Sequence, residues 1–318
     1  MREIKENSMF QKFKTALCLL KNNSKQIPFA IFRNISQCRI SHIVSDCMYL
    51  KIMFKLALNK KLNISNPQTF NEKLQWLKLY DRKPLYTTMV DKYEVKEYIA
   101  NIIGKEYIIP TLGVWDSVEK IELDKLPKQF VLKCTHDSGS IVICKDKSKL
   151  DFEAAKKQLK KGLDRNLFWY GREWPYKNVK PRIIAEAYME DIKAHELIDY
   201  KFMCFNGEVK CSFSCSERFS EDGLKVTFFD NDWNILPFER HYPASKNPPK
   251  KPINYSKMLR FSEKLSKGIP FVRVDFYEIN GKLYFGELTL YPGCGFEEFA
   301  PEKWDYKLGS WLKLPEKQ

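Results

Sequence analysis

The segment from Phe271 to Gly295, FVRVDFYEINGKLYFGELTLYPGCG, constrains the fold more than any other part of the chain. Two β-rich runs flank Asn280-Gly281, and an Asn-Gly pair in that position predicts a β-hairpin. Polar residues recur at every second position near the open end of both strands, so they lie on one face of each strand. They are Arg273 and Asp275 on the first strand, and Glu287 and Thr289 on the second.

The register of this hairpin decides whether Asp275 and Glu287 meet. A plain two-residue turn places the two carboxylates on opposite faces, because side chains alternate along a strand. One extra residue places Asp275 opposite Glu287 and Arg273 opposite Thr289. The grouping of the polar residues favours the second register, so we expect a bulge or a longer loop near Gly281.

Two adjacent carboxylates repel each other, and burying them raises a pKa unless cations compensate. Arg273 supplies one positive charge, and Mg²⁺, which takes carboxylate and phosphate oxygens, is the natural second. A structural ion pair on a half-buried hairpin is the alternative interpretation. Residues upstream are needed to choose between the two.

Composition indicates a globular protein with more than one lobe. The chain has 318 residues, of which 44% are hydrophobic and 14% aromatic, and this length supports a large core. No uninterrupted apolar run reaches the length of a membrane span, and the first residues lack the features of a signal peptide. The nine cysteines include no C-x-x-C pair, which favours reduced thiols in a cytoplasmic protein.

The net charge of +14 indicates an anionic partner. Nucleic acid is the generic candidate, but the sequence has no zinc finger, RNA-recognition signature or basic helix, so we expect no nucleic acid partner. A nucleotide and an acidic glycan account for the charge equally well.

Residues 1–62 are predicted to be helical. Phe10, Phe13, Leu17 and Leu20 form an apolar stripe with lysines around it, which is typical of an amphipathic helix. We favour a helix docked on the body of the protein, with peripheral membrane contact as the alternative.

Two further helices are predicted before the first strand. Thr69 with Glu72 three residues later forms a capping signal, and the segment VDKYEVKEYIANIIG ends at Gly104. Lys92 lies near the start of that second helix, where the helix dipole gives a cation no benefit. It is either a solvated charge or a phosphate ligand reaching across a cleft.

The segment QFVLKCTHDSGSIVICKD predicts a strand, a polar loop and a second strand. Lys133 ends the first strand, and the loop of Ser138, Gly139 and Ser140 can turn backbone N–H groups toward phosphate oxygens. The spacing is not that of a Walker A motif, and an ordinary turn is the alternative.

A buried strand follows in PRIIAEAYME, where Glu186 needs a partner, either an adenine-side hydrogen bond or a lysine. Glu196, Asp199 and Lys201 then crowd the start of the next strand. An amphipathic helix, SKMLRFSEKLSKGIP, leads into the hairpin.

This order of motifs resembles the ATP-grasp superfamily. The segments NPQTFNEKLQW, VDKYEV, FVLKCTHDSGS, DYKFMCFNGEV and RVDFYEINGKLYFGELT are similar to its teichuronopeptide-biosynthesis (TupA-like) branch. The resemblance runs from about Leu62 to the C-terminus. It implies an α+β ATP-grasp fold, in which two lobes clasp ATP, with a helical N-terminal extension. The implied domains are residues 1–62 (extension), 63–128 (pre-ATP-grasp-like region), 129–195 (small lobe) and 196–318 (C-terminal lobe with the metal site).

The resemblance also implies a function: an ADP-forming carboxylate–amine ligase that uses ATP and Mg²⁺. It assigns ATP phosphates to Lys92, Lys133 and Lys201 and to the loop of Ser138, Gly139 and Ser140. It assigns the adenine to Glu186, the ribose to Glu196, Mg²⁺ to Asp275, Glu287 and Thr289, and the acyl phosphate and oxyanion to Arg273.

Two positions depart from the superfamily pattern. Thr289 stands where an asparagine often follows the metal-binding glutamate, and its hydroxyl is a weaker ligand. Asp137 stands where we expect a glycine, so it either points outward or weakens nucleotide binding.

The TupA-like branch is associated with surface polysaccharides, so the resemblance implies a uronic acid of an acidic glycan, or a nucleotide-linked precursor, as the carboxylate substrate. The amine is an amino acid or a small amine. The expected location is the cytoplasm, at the inner face of the membrane if the N-terminal helix binds there. A glycan kinase, a glycosyltransferase and a non-catalytic protein of polysaccharide assembly are the alternatives.

Overall fold

The structure is a computed structural model that describes residues 42–191, 197–217, 220 and 223–317. The helix predicted around Phe10 to Leu20, with its membrane contact, and the ribose ligand Glu196 lie outside the described residues. Of the predicted N-terminal extension, the described part contains one helix, Asp46–Leu58, whose first turn is capped by the Ser45 side chain. None of the described helices combines the length and the apolar composition that crossing a bilayer requires.

Helices and strands follow one another in groups along the described part of the chain. The helices are α1 Asp46–Leu58, α2 Phe70–Tyr80, α3 Leu85–Val90, α4 Glu94–Ile103, α5 Phe152–Leu163, α6 Phe168–Gly171, α7 Tyr255–Ser266 and α8 Lys303–Trp311. The strands are β1 Thr111–Trp115, β2 Phe130–Cys134, β3 Ile141–Cys144, β4 Ile183–Ala187, β5 Asp199–Phe205, β6 Glu208–Ser216, β7 Lys225–Phe229, β8 Glu239–Arg240, β9 Phe271–Ile279, β10 Lys282–Thr289 and β11 Phe299–Ala300.

The capping signal before α2 forms as predicted. The Thr69 hydroxyl accepts from the Glu72 N–H at 3.2 Å, and the Glu72 carboxylate accepts from the Thr69 N–H at 3.0 Å. Two N–H groups at the start of the helix are thereby satisfied. Helix α4 ends at Ile103 and is followed by Gly104, whose φ of 115° suits glycine.

The smaller sheet is antiparallel, with the strand order β1-β4-β2-β3. One face packs on α5 through a core that includes Phe130, Leu132, Leu159 and Ile183. Side chains alternate along a strand, so Lys133 lies on the opposite face, toward the larger sheet. Strand β1 comes from the range 63–128, so this sheet joins residues from both sides of the predicted boundary at 129; the domain boundaries themselves stay a prediction.

The larger sheet is antiparallel as well, with the strand order β10-β9-β5-β6-β7. Helix α7 covers one face, where Phe202, Val274 and Phe276 join Met258 and Leu265 in the main core. Helices α1 to α4 contribute to the same core. The opposite face carries Lys201, Arg273 and Asp275, which are largely buried, and it lies toward the smaller sheet.

The hairpin of β9 and β10 corrects one prediction. Asn280 and Gly281 have φ values of 51° and 76°, and together they form a tight two-residue turn because both tolerate the left-handed region. The bulge is therefore not near Gly281. The register shifts between Phe285 and Leu288, and after that shift Thr289 pairs with Arg273 as predicted.

Candidate active site

A cavity of about 130 Å³ lies between the two sheets, where residues from α4 and its N-terminal turn, β2, β3, β4, β9 and β10 converge. Its charged lining residues are Lys92, Lys96, Lys133, Glu186 and Glu287. Ile141, whose exposed fraction is 47%, and other apolar side chains complete the wall. The cavity thus joins an apolar surface to a concentration of lysines.

Glu186 is held by two lysines. Lys133 Nζ lies 2.5 Å from Glu186 Oε2, and Lys96 Nζ lies 2.6 Å from Oε1. Burial raises the pKa of Glu186, but the two lysines outweigh burial and the pKa is lowered. Of the two partners considered for Glu186, the structure contains the lysine pair.

Lys96 was missed in the sequence analysis. It follows Lys92 by four residues, a spacing that places two side chains on one side of a helix, and this signal could have identified it. Its ammonium also donates to the Ile109 carbonyl at 2.8 Å and to the Thr111 hydroxyl at 2.9 Å. These contacts fix Lys96 on the wall of the cavity.

Lys92 belongs to the cavity and not to the solvent. Its ammonium donates to the carbonyl of Asp137 at 2.5 Å, which connects the start of α4 to the polar loop after β2. Burial lowers the pKa of Lys92, and the nearby Glu287 carboxylate opposes that effect. The lysine therefore lies within electrostatic reach of the acidic hairpin.

Asp137 points inward, so the first of the two alternatives given for it, an outward orientation, is wrong, and weaker nucleotide binding stays a prediction. Its exposed fraction is 2%, and its carboxylate accepts from the Ser138 N–H at 2.7 Å and from the Ser140 hydroxyl. Arg165 Nη1 lies 3.6 Å from the same carboxylate. The loop of Ser138, Gly139 and Ser140 is thus folded around an internal anion.

The hairpin brings the predicted acidic residues together through Arg273. The Arg273 guanidinium donates to both oxygens of Asp275, at 2.7 and 2.6 Å, and to Glu287 Oε1 at 2.7 Å. Lys201 donates to Asp275 from the neighbouring strand β5, and the Thr289 hydroxyl donates to Glu287 at 3.2 Å. Five of the predicted site residues therefore form one network.

The two carboxylates of this network have different electrostatic environments. Asp275 has an exposed fraction of 1%, and burial raises its pKa even though Arg273 and Lys201 oppose the shift. For Glu287, burial acts in the same direction, but Arg273, Lys201 and Lys92 outweigh it and lower the pKa to about 2. Glu287 is therefore the more firmly ionised member of the pair.

The oxygen donors of the hairpin fit Mg²⁺ in part. The Glu287 side chain is 48% exposed and shares its surroundings with the Thr289 hydroxyl, whereas both oxygens of Asp275 are bonded to Arg273 and Lys201. The described residues contain no group of three or more His, Cys, Asp or Glu side chains arranged for a metal. Because Mg²⁺ is usually held by one or two carboxylates together with substrate phosphates, the set suits an ion that arrives with a nucleotide.

A second, larger cavity of about 1220 Å³ opens beside the loop that follows β10. Its wall combines the end of α1 with Cys294 and Phe296, and its charged lining residues are Lys55, Lys60, Glu239, Glu297 and Glu298. The larger cavity therefore combines apolar side chains with charges of both signs. Burial, together with the charges of Glu173 and Glu287, raises the pKa of Tyr176, which precedes β4.

Comparison with known proteins gives one family. The model of the family described as TupA-like ATPgrasp matches residues 72–313, well over half of the chain. No curated protein matches the sequence.

Several solved structures are similar at low identity. The D-cycloserine synthetase DcsG is 17% identical, with 72% of each chain covered and a TM-score of 0.39. The D-alanine–D-alanine ligase of Helicobacter pylori is 14% identical, with 76% of this chain and 69% of that chain covered and a TM-score of 0.38. The corresponding Bacillus anthracis ligase complexed with ATP is 16% identical, with 64% of this chain and 55% of that chain covered and a TM-score of 0.37.

Proposed function

The chain belongs to the TupA-like ATP-grasp family of the ATP-dependent carboxylate–amine ligases, and we propose that it joins a uronic acid to an amine. This membership confirms the predicted α+β ATP-grasp fold. The uronic acid belongs to a surface polysaccharide or its precursor, and the amine is an amino acid or a small amine. One observation carries the proposal: Lys201, Arg273, Asp275 and Glu287 form a network at a cavity that three further lysines line.

Charge complementarity supports the binding of ATP in this cavity. Lys92, Lys96 and Lys133 supply cations for a triphosphate, and a charge-assisted hydrogen bond to phosphate is among the stronger protein contacts. Ile141 offers an apolar surface for the purine. We assign Glu186 to orienting the two lysines, because both of its oxygens are bonded to them.

The reaction then needs positioning and charge stabilisation more than covalent chemistry from the protein. The carboxylate of the sugar attacks the γ-phosphorus of ATP, ADP leaves, and an acyl phosphate remains. The amine attacks the acyl carbon, phosphate leaves, and the amine proton passes to solvent. Arg273 stabilises the acyl phosphate and the oxyanion that forms on it. Lys201, which lies on β5, neutralises negative charge on the same groups.

Glu287, with Thr289 beside it, would be the accessible protein ligand for Mg²⁺, and Asp275 would contribute an oxygen that Arg273 and Lys201 now hold. The bound ion would neutralise charge on the transferred phosphoryl group. The sugar carboxylate and the amine are assigned to the larger cavity beside Cys294, whose mixed charges suit a polar substrate. The net charge of +14 favours an acidic glycan. We place the reaction in the cytoplasm, where ATP is available.

The test is ADP release measured with a panel of uronic acids and amines, alone and combined. We expect ADP and phosphate to appear in equal amounts only when both substrates are present. The Glu287→Gln variant serves as the inactive control. ADP release with phosphate left on a sugar hydroxyl would identify a kinase, and consumption of a nucleotide sugar without ATP would identify a glycosyltransferase; either result contradicts the ligase.

A further inference from the structure

Three of the residues assigned to ATP phosphates are bonded to one internal residue, Asp137. The Ser138 N–H and the Ser140 hydroxyl both donate to its carboxylate, and Lys92 donates to its carbonyl. A phosphate oxygen would need the same donors. Asp137 therefore already accepts, within the protein, from donors that the family resemblance assigns to a nucleotide phosphate.

The surroundings hold this arrangement in place. Asp137 is buried, and Ser140 packs so closely against Gly162 of α5 that any Cβ at position 162 would clash with its side chain. Arg165 follows α5 by two residues and lies beside the loop, because its carbonyl is within 3.1 Å of His136 Nε2. Its guanidinium is 3.6 Å from Asp137 Oδ2 and 33% exposed.

We propose that the Asp137 carboxylate competes with a nucleotide phosphate for the donors of the loop of Ser138, Gly139 and Ser140. A bound phosphate displaces the carboxylate, which then pairs with the Arg165 guanidinium. The inference rests on the proposed function, because it takes ATP as the entering phosphate. A backbone N–H and a hydroxyl each have one hydrogen to donate, so Ser138 and Ser140 cannot fully serve both anions. The carboxylate and the phosphate would also repel each other, because both carry negative charge and would share the same donors.

The loop has the freedom that such an exchange requires. Gly139 lies between the two serines with a φ of 97° and open space around it, so the Ser138–Gly139 peptide can turn without a steric cost. Lys92 does not have to release Asp137, because an ammonium has three hydrogens and can donate to the carbonyl and to phosphate together. Arg165 supplies a cation for the displaced carboxylate.

The test compares Mg·ATP binding by calorimetry in wild type, Asp137→Asn and Arg165→Gln. Asparagine keeps the shape and an acceptor for Ser138 but removes the competing charge, so we expect the Kd to fall roughly tenfold. Arg165→Gln should raise the Kd, because the displaced carboxylate loses its cation. In the double variant, Arg165→Gln should have little further effect, which reports coupling between the two residues.

Asp164→Asn is the matched control, since Asp164 is an exposed carboxylate beside Arg165; it should leave the Kd unchanged. Thermal unfolding without nucleotide should show Asp137→Asn below wild type, because the loop loses a charged acceptor. If Asp137→Asn binds Mg·ATP as wild type does, or more weakly, the competitor role is overturned and Asp137 only shapes the loop. A wild-type protein that binds no Mg·ATP contradicts the proposed function itself.

Discussion

Glu287 lies on the same face of the hairpin as Asp275 because strand β10 bulges between Phe285 and Leu288. Phe285 pairs with Phe276, and Leu288 pairs with Val274, so two residues of β10 stand opposite the single residue Asp275. Without the extra residue, the pleat would direct Glu287 to the apolar core. The bulge is thus the backbone feature that allows one guanidinium, that of Arg273, to hold both carboxylates.

Gly286→Ala should impair catalysis more than it impairs folding. A Cβ at Gly286 would lie 3.1 Å from the Asp275 carbonyl oxygen and 3.1 Å from the Tyr277 ring, so the bulge must shift, at a cost of about 1–3 kcal/mol in stability. Glu287 then moves away from Arg273, and we expect kcat to fall at least tenfold. Gly281→Ala is the control: it has open space but a φ of 76°, which costs about 1 kcal/mol far from the carboxylates. Equal kcat values in the two variants would contradict this role of the bulge.

Glu287→Gln should abolish ADP release and leave the fold intact. The substitution keeps the volume of the side chain and removes the charge that the phosphates and Mg²⁺ require. Two adjacent carboxylates alone would predict relief of repulsion with Asp275, but Arg273, Lys201 and Lys92 lower the pKa of Glu287 to about 2, so its charge is already compensated. We therefore expect the free energy of unfolding to fall by about 0–1 kcal/mol, so that the melting temperature stays the same or falls slightly. Retained turnover would contradict the assignment.

Lys133→Met should weaken Mg·ATP binding, measured by calorimetry, with a Kd increase of roughly tenfold or more. Lys96→Met should give a comparable loss, because both lysines line the cavity and share Glu186. Lys250→Met, in the exposed segment before α7, removes an equal charge and should leave the Kd unchanged. Equal, small effects of all three substitutions would show that only the net charge of the protein matters.

Glu186→Gln should reduce stability in a pH-dependent manner. The folded-state pKa of Glu186 is below its ordinary value of 4.5, so its contribution to stability is present above pH 4.5 and is lost as the pH falls through the folded pKa. At pH 7 we expect the variant to be about 3 kcal/mol less stable, because two lysines lose their shared anion. In denaturant titrations the stability difference between the two proteins should begin to shrink below pH 4.5 and continue to shrink as the pH falls through the folded-state pKa; a constant difference would disprove the linkage.

Several features could be predicted from the sequence because they depend on local chemistry. The cap at Thr69 needs only residues three apart, and the Asn280-Gly281 turn depends on the φ values those two residues tolerate. Glu186 was recognised because a charge in a buried strand requires a partner, and Lys133 because it ends a strand before a loop of small polar residues. These inferences use contacts between near neighbours in the chain or the alternation of side chains along a strand. Both can be inferred without knowledge of the fold.

Only the tertiary structure decided which charges meet. Lys96 and Glu186 are ninety residues apart, and Asp137 turns inward because Ser138, Ser140 and Arg165 surround it in space. The bulge lies at Gly286 and Glu287, not at the turn, because the Asn-Gly pair closes tightly and the burial of Leu288 sets the register beyond it. The sequence by itself determined which residue types and local turns were available. The packing of two sheets determined their partners, because electrostatic interaction depends on distance in space and not on separation along the chain.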